Sequence, residues 1–123
     1  MILKFFRKFL GLFIQLIEII SSPRGITRDA AVQEKIDLET SKLKLYQFAG
    51  CPFCAKVRHH IKKKSLKIEL RDASEKSPTY RQELLEKGGL IQVPCLRIEE
   101  ANGTVKWLYE SDDIMKYLDE RFV

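Results

Sequence analysis

The four residues Cys51-Pro52-Phe53-Cys54 restrict this chain more than any other feature. They stand between two segments of opposite character. Residues 42–48 alternate Leu43 and Leu45 with other side chains and read as a strand. Residues 52–65 place Val57 and Ile61 on one helical face, with Lys62, Lys63 and Lys64 outside. Pro52 falls at the first helical position, where its missing N–H costs nothing, and this makes Cys51 the N-cap. The Cys51 sulfur then faces free backbone N–H groups and the positive end of the helix. Both favour thiolate over thiol, and a thiol with a free pKa near 8.5 drops to about 3.5–7.5 in such a setting. Thiolate is the nucleophile of disulfide exchange. Cys54, one helical turn on and beneath Cys51, can attack a mixed disulfide on Cys51 and release the substrate. Lys56 and Arg58 are placed to add positive field.

Other uses of the pair fit less well. Three cysteines are too few for the disulfide framework of a secreted scaffold. A zinc site needs four ligands, and a second such pair is absent. His59 and His60 are adjacent on a helix and point about 100° apart, so they cannot both serve one metal with the cysteines. No metal is expected, and the histidines read as solvated. Two inert core cysteines would leave Pro52 between them unexplained.

The remaining segments supply a sheet. Residues 67–71 read as a second strand, and 79–87 as a helix closed by Gly88-Gly89. Residues 93–99 and 106–109 read as two strands around the turn Ala101-Asn102-Gly103, an antiparallel hairpin signal. Ser111–Arg121 is the last helix, with Ile114, Tyr117, Leu118 and Phe122 toward the core. The order is βαβ, then α, then ββα. A βαβ crossover makes its strands parallel, and the hairpin adds antiparallel ones. The reading is an α/β domain over residues 42–123, with a four-stranded mixed sheet and helices on both faces.

Two further clusters belong with the cysteines. In Val93-Pro94, proline follows a β-branched residue at a strand start. An ordinary trans proline suits that place; a cis bond would expose the Val93 backbone to an extended peptide beside Cys51. In Glu110-Ser111-Asp112-Asp113, Ser111 reads as the N-cap of the last helix, and capping alone explains the cluster. The sharper reading is that the free N–H groups and the Ser111 hydroxyl take a ligand carboxylate, while Glu110 or Asp112 holds an ammonium. Carboxylate and ammonium on one carbon describe the γ-glutamyl end of glutathione. Cys95 would share the strand face of Val93, which brings it near the site, although a plain core cysteine is favoured.

Taken in order, YQFAGCPFCAKVR, VPCL and YESDDIMKYLDERF resemble the glutaredoxin family. The likeness is strongest to the branch whose thioredoxin-like domain also forms the N-terminal half of glutathione transferases, and it covers residues 42–123. It implies a glutathione-dependent thiol–disulfide oxidoreductase, with Cys51 as nucleophile and Cys54 as resolving thiol. It also implies a cis Pro94, with the Val93 backbone pairing to the glutathione cysteinyl, and Glu110 and Ser111, joined by Asp112, at the γ-glutamyl group. Glutathione is then the co-substrate, and glutathionylated or disulfide-containing proteins are the partners. Two positions depart from the common pattern. Phe48 stands where many glutaredoxins carry a lysine for the glycine carboxylate, and Tyr109-Glu110 is the transferase-like version of a Gly-Gly pair.

Residues 1–20, MILKFFRKFLGLFIQLIEII, are an addition to that pattern. Lys4, Lys8, Gly11, Gln15 and Glu18 recur at steps of four and three, one stripe of a helix whose remaining surface is Leu, Ile and Phe. Three uses stay open: a span with a polar seam, a helix lying in the bilayer interface, and a signal peptide or soluble partner helix. The first two make it a membrane-associating helix. Ser21-Ser22-Pro23-Arg24-Gly25 breaks it, and residues 21–41 read as a linker containing a short helix. The net charge of +5 suits acidic lipid or an anionic small molecule. No basic run interleaved with aromatics speaks for nucleic acid, which is not expected as a partner. Lys4, Arg7 and Lys8 would send the domain outward across a membrane, whereas Arg24 and Arg28 argue the reverse. Glutathione chemistry suits a reducing cytosol, so a membrane-associated domain facing the cytoplasm is the expectation. The rival reading is a tethered, non-catalytic module that binds glutathione or carries an iron–sulfur cluster through Cys51.

Overall fold

A computed structural model describes residues 2–20 and 25–122, with the side chains of the first helix described for residues 7–16. The helix break expected at Ser21-Ser22-Pro23-Arg24 lies outside the described residues. In chain order the elements are α1 (Ile2–Ile20), α2 (Ala30–Thr40), β1 (Leu43–Gln47), α3 (Pro52–Lys63), β2 (Glu69–Asp72), α4 (Pro78–Glu83), β3 (Cys95–Glu99), β4 (Val105–Tyr109) and α5 (Ser111–Arg121). The four strands make one sheet in the order β2-β1-β3-β4. β1 pairs parallel with β2 and antiparallel with β3, and β3 pairs antiparallel with β4. This is the thioredoxin-like α/β arrangement with a mixed sheet.

Strand alternation divides the core into two layers. Leu43 and Leu45 of β1 and Leu96 and Ile98 of β3 point to one face, where they meet Val57 and Ile61 of α3 and Ile114 and Leu118 of α5. Tyr46 and Cys95 point to the other face and pack with Ala73 and Leu84. Tyr117, expected in the core, is only partly buried at its margin.

Several boundaries shift from the sequence reading, each for a local reason. α4 begins at Pro78, again a proline in the first turn, and runs on as a single π turn over Leu84–Gly88. Gly89 then ends it with φ at 91°, a conformation glycine adopts without strain. Val93 and Pro94 precede β3 rather than opening it, because proline has no N–H for the ladder. The hairpin turn forms as expected: Gly103 has φ at 85°, and Glu100 N–H donates to the Thr104 carbonyl (2.8 Å).

α3 ends in a Schellman turn. Ser65 N–H reaches the Lys62 carbonyl (3.1 Å), and Leu66 N–H reaches the Ile61 carbonyl (3.0 Å), with Ser65 in the left-handed place usually held by glycine (φ 54°). The segment before β1 fastens to this turn. Ile26 N–H donates to the Lys63 carbonyl (3.1 Å), and the Ser65 hydroxyl donates to the Ile26 carbonyl (2.6 Å). Gln33 Nε2 of α2 adds a bond to the Ser65 carbonyl (3.0 Å). Ile36 of α2 packs on the larger core layer.

Gly88 holds the π turn against the sheet. A Cβ there would lie 2.7 Å from Tyr109 Oη and 3.1 Å from Trp107 Cε3. Gly88→Ala is therefore expected to destabilise the fold by about 1–3 kcal/mol, the usual range for overpacking. Urea denaturation of the two proteins measures it, and an unchanged midpoint would mean that the rings yield freely.

Candidate active site

Cys51 ends the loop from β1 and caps α3. Its backbone is extended (φ −85°, ψ 124°), and Pro52 opens the helix. The Cys51 N–H donates to the Phe48 carbonyl (3.2 Å), and its carbonyl accepts from Ala55 N–H (2.9 Å). Arg58, further along α3, braces the same loop. Its guanidinium donates to Gln47 Oε1 (2.5 Å) and to the carbonyls of Phe48 (3.1 Å) and Ala49 (3.1 Å).

All three cysteines are free thiols; Cys51 is half-buried, while Cys54 and Cys95 are buried. The Cys51 thiol is lowered from an ordinary value of 9.0 to about 6. The leading cause is Cys54, which keeps its own proton and donates it to the Cys51 sulfur. Partial burial opposes the shift; the N–H groups of Cys54 and Phe53 and the charge of Arg58 support it. The Cys51 side chain closes no capping hydrogen bond on the first turn of α3. Cys54 moves the opposite way: its thiol is raised, first because the proton is shared with Cys51 and then because the sulfur is buried. Phe48 N–H lies 3.5 Å from the Cys54 sulfur. The pair thus separates into one sulfur held as an anion at neutral pH and one held as a proton donor behind it. Arg58 contributes field as anticipated, but Lys56 is engaged elsewhere, pairing with Asp112 of α5 (3.0 Å) at an exposed site.

A cleft of about 220 Å³ opens beside this turn. It is lined by Val93, Pro94, Glu110, Ser111 and Asp112, all five of the expected binding residues. Phe53 and Gln92 join them; nothing in the spacing marked either one, because they reach the cleft only through the fold. The Val93–Pro94 peptide is cis. Ser111 is not the N-cap of α5: Glu110 holds that place with a left-handed φ of 72°, and Ser111 is the first helical residue, buried. The chain must turn sharply out of β4 to start α5, and the turn falls on Glu110. Gln92 Nε2 donates to Glu110 Oε1 (3.3 Å). A larger cleft, of about 330 Å³, lies near Lys42, Glu99 and Arg121, away from every expected site residue.

A family model described as "Glutathione S-transferase, N-terminal domain" matches residues 45–123. The chain belongs to this glutathione S-transferase N-terminal domain family. A comparison with curated proteins gave no match. Among solved structures, the chain is similar to maleylacetoacetate isomerase from Anaeromyxobacter dehalogenans, which carries bound dicarboxyethyl glutathione and citrate in its active site. The identity is 27% and the TM-score 0.51, over 66% of this chain. The chain spans 37% of the isomerase's length.

Within this transferase-type domain Phe48 and Tyr109 brace the site. Phe48 packs beside the smaller core layer, and both its N–H and its carbonyl are engaged at the cysteine turn. Tyr109, at the end of β4, donates its hydroxyl to the Leu90 carbonyl (3.1 Å), which ties down the loop leading to Val93-Pro94. Its hydroxyl also meets the Cys95 thiol, which burial pushes up to about 12. Cys95 is therefore a protonated core cysteine under the cleft. His60 departs from the solvated reading: its Nε2 lies 2.7 Å from Asp119 of α5, and Lys64 approaches the same carboxylate (3.5 Å). Adjacent helices supply this partner, which spacing along α3 alone did not reveal.

Proposed function

We propose that this protein is a glutaredoxin-like, glutathione-dependent oxidoreductase that reduces mixed or protein disulfides at a membrane surface. The observation that carries the reading is the split of the cysteine pair, with Cys51 lowered to about 6 and Cys54 raised. A domain serving only to bind glutathione has no need of that division. Glutathione as co-substrate is supported by the family and by the glutathione derivative in the isomerase structure.

In the first step the Cys51 thiolate attacks the glutathionyl sulfur of a protein–S–S–glutathione disulfide. The protein sulfur leaves as a thiolate and takes a proton from solvent, while glutathione stays on Cys51 as a mixed disulfide. A second glutathione, as thiolate, attacks that disulfide, forming oxidised glutathione and restoring the Cys51 thiolate. One free glutathione is consumed for each mixed disulfide reduced, because the other half of the oxidised glutathione comes from the substrate. In the dithiol route Cys54 displaces the group from Cys51, closing a disulfide that two glutathiones reopen. Glutaredoxin potentials of about −200 to −230 mV lie near the glutathione poise, so direction follows the pool.

In this reading the cleft takes the remaining atoms of glutathione. The Val93 backbone takes the cysteinyl segment, Ser111 and the first N–H groups of α5 take the γ-glutamyl carboxylate, and Glu110 with Asp112 takes the ammonium. Residues 42–123 form the reactive domain, 21–41 connect it, and residues 1–20 attach it to a membrane, with the domain facing the cytoplasm. No helix among the described residues is long and apolar enough to cross a membrane; the reading takes the attachment to lie along the surface.

The reading is tested with full-length protein, a glutathionylated peptide, glutathione, glutathione reductase and NADPH. Turnover above the rate given by glutathione alone is expected, and its absence would remove the oxidoreductase assignment. Glu110→Gly is expected to weaken glutathione binding roughly tenfold, the worth of a hydrogen bond to a charged group. The thermal midpoint should hold or rise, because glycine accepts positive φ freely. Calorimetric titration of both proteins with glutathione reads the first effect, and undiminished affinity would take Glu110 out of the site.

A second reading has its own support. The Tyr109-Glu110-Ser111 version of the γ-glutamyl cluster and the isomerase likeness suit a glutathione conjugase or isomerase, in which glutathione rather than Cys51 supplies the reacting sulfur. In that case Cys51→Ser would leave glutathione-conjugating activity in place.

A further inference from the structure

α1 sits on the domain the wrong way round for a helix whose surroundings are water. Between residues 7 and 16, Gly11, Ile14 and Gln15 are the half-buried positions. Phe9 and Leu12 are each 61% exposed, Leu16 54% and Phe13 51%. At 3.6 residues per turn these four lie within an arc of about 100°, opposite Gly11 and Gln15. A surface helix of a soluble domain turns its apolar stripe to the core and its polar face outward. Here the side carrying Gly11, Ile14 and Gln15 meets the domain, and the side carrying Phe9, Leu12, Phe13 and Leu16 faces away from it.

The seat of the helix is equally specific. A Cβ placed on Gly50 would lie 2.9 Å from the Gly11 Cα, and one on Gly11 would lie 3.5 Å from the Gly50 Cα. Two glycines let backbone meet backbone, and Gly50 is the residue immediately before Cys51. The outward face therefore rides directly over the turn that carries the thiolate. Phe53, two residues beyond Cys51, is itself 62% exposed.

Charge selects the occupant. The sequence places Lys4, Arg7 and Lys8 in the first turns of α1, against Glu18 alone, and Arg7 and Lys8 are exposed. Basic residues beside a broad apolar face match an anionic bilayer surface, with the apolar side sunk among acyl chains and the cations near headgroups. We propose that α1 lies in an anionic lipid surface and, through the Gly11–Gly50 seat, holds Cys51 at headgroup level, so that the substrate class is glutathionylated thiols on membrane-embedded or lipid-anchored molecules. This rests on the reading of Cys51 as the disulfide-exchange nucleophile.

The test uses full-length protein with two kinds of vesicle, phosphatidylcholine alone and phosphatidylcholine mixed with phosphatidylglycerol. It also uses one glutathionylated peptide in two forms, free in solution and coupled to a phospholipid headgroup in the vesicle. Binding is expected to be roughly 10–100-fold tighter on the anionic vesicles, given about three basic residues near the surface. The anchored peptide should be reduced about tenfold or more faster than the free one, because both partners share a surface. Phe9→Glu with Phe13→Glu should abolish vesicle binding and this preference while the free peptide is still turned over. Gly11→Leu should unseat α1, leaving vesicle binding and free-peptide turnover but removing the preference. Protein that turns over the free peptide but stays in the supernatant overturns the inference alone. So does vesicle binding without preference for the anchored peptide, or a solution dimer that the Phe-to-Glu changes dissolve. Vesicle binding without turnover of either peptide overturns the inference together with the nucleophile reading beneath it.

Discussion

Cys51→Ser brings turnover of a glutathionylated peptide down to the rate of glutathione alone, because a serine hydroxyl at neutral pH is neither anionic nor able to form the mixed disulfide. Cys54→Ser behaves differently. It spares the route in which glutathione itself resolves the intermediate and impairs reduction of protein disulfides, which needs the second thiol. The pair of variants separates the roles that the opposite shifts of the two sulfurs suggest. The wild-type rate carries the matching pH signature. With the Cys51 thiol at about 6, the reactive anion is lost as pH falls through that value and is nearly complete above pH 7. The rate of the first step, read in a single turnover of the glutathionylated peptide without added glutathione, should therefore rise through about 6 and level off. A rise centred near the ordinary thiol value of 9.0, or activity surviving in Cys51→Ser, would refute the assignment.

Arg58→Met is expected to give the second-largest loss. Arg58 supplies both positive field at the Cys51 sulfur and three hydrogen bonds to Gln47, Phe48 and Ala49 in the loop before it. Methionine keeps much of the side-chain length and loses both contributions. Removing a nearby opposite charge typically moves a pKa by about 1–3 units; a rise of about one unit in the Cys51 thiol, from about 6, should lower the thiolate fraction at pH 6, and the rate with it, roughly fivefold. Ultraviolet absorbance of the thiolate against pH reads the shift directly, and Arg58→Lys should recover part of it by restoring the charge without the fork of donors. If Arg58→Met left the titration where it was, the lowered thiol would owe nothing to the guanidinium, and the helix and Cys54 would account for it alone.

Much of this protein was legible in its residues. Pro52 after Cys51 determined where α3 starts, because a proline ring suits only the first turn. The alternation of Leu43 and Leu45, the Asn102-Gly103 turn and the spacing of Ile114 and Leu118 determined the strands, the hairpin and the buried face of α5, since each is set by neighbours within a few positions. Five of the seven residues that line the cleft, Val93, Pro94, Glu110, Ser111 and Asp112, were named from sequence, because each sits at a strand or helix end whose chemistry is local. The tertiary structure alone decided what depends on distant chain segments meeting. It put the left-handed turn on Glu110 rather than the cap on Ser111, gave Lys56 to Asp112 and His60 to Asp119, buried Cys95 against the Tyr109 hydroxyl, and brought Phe53 and Gln92 to the cleft. It also set Gly11 of α1 against Gly50. Periodicity states which residues share a face; only packing between elements far apart in sequence states what that face meets.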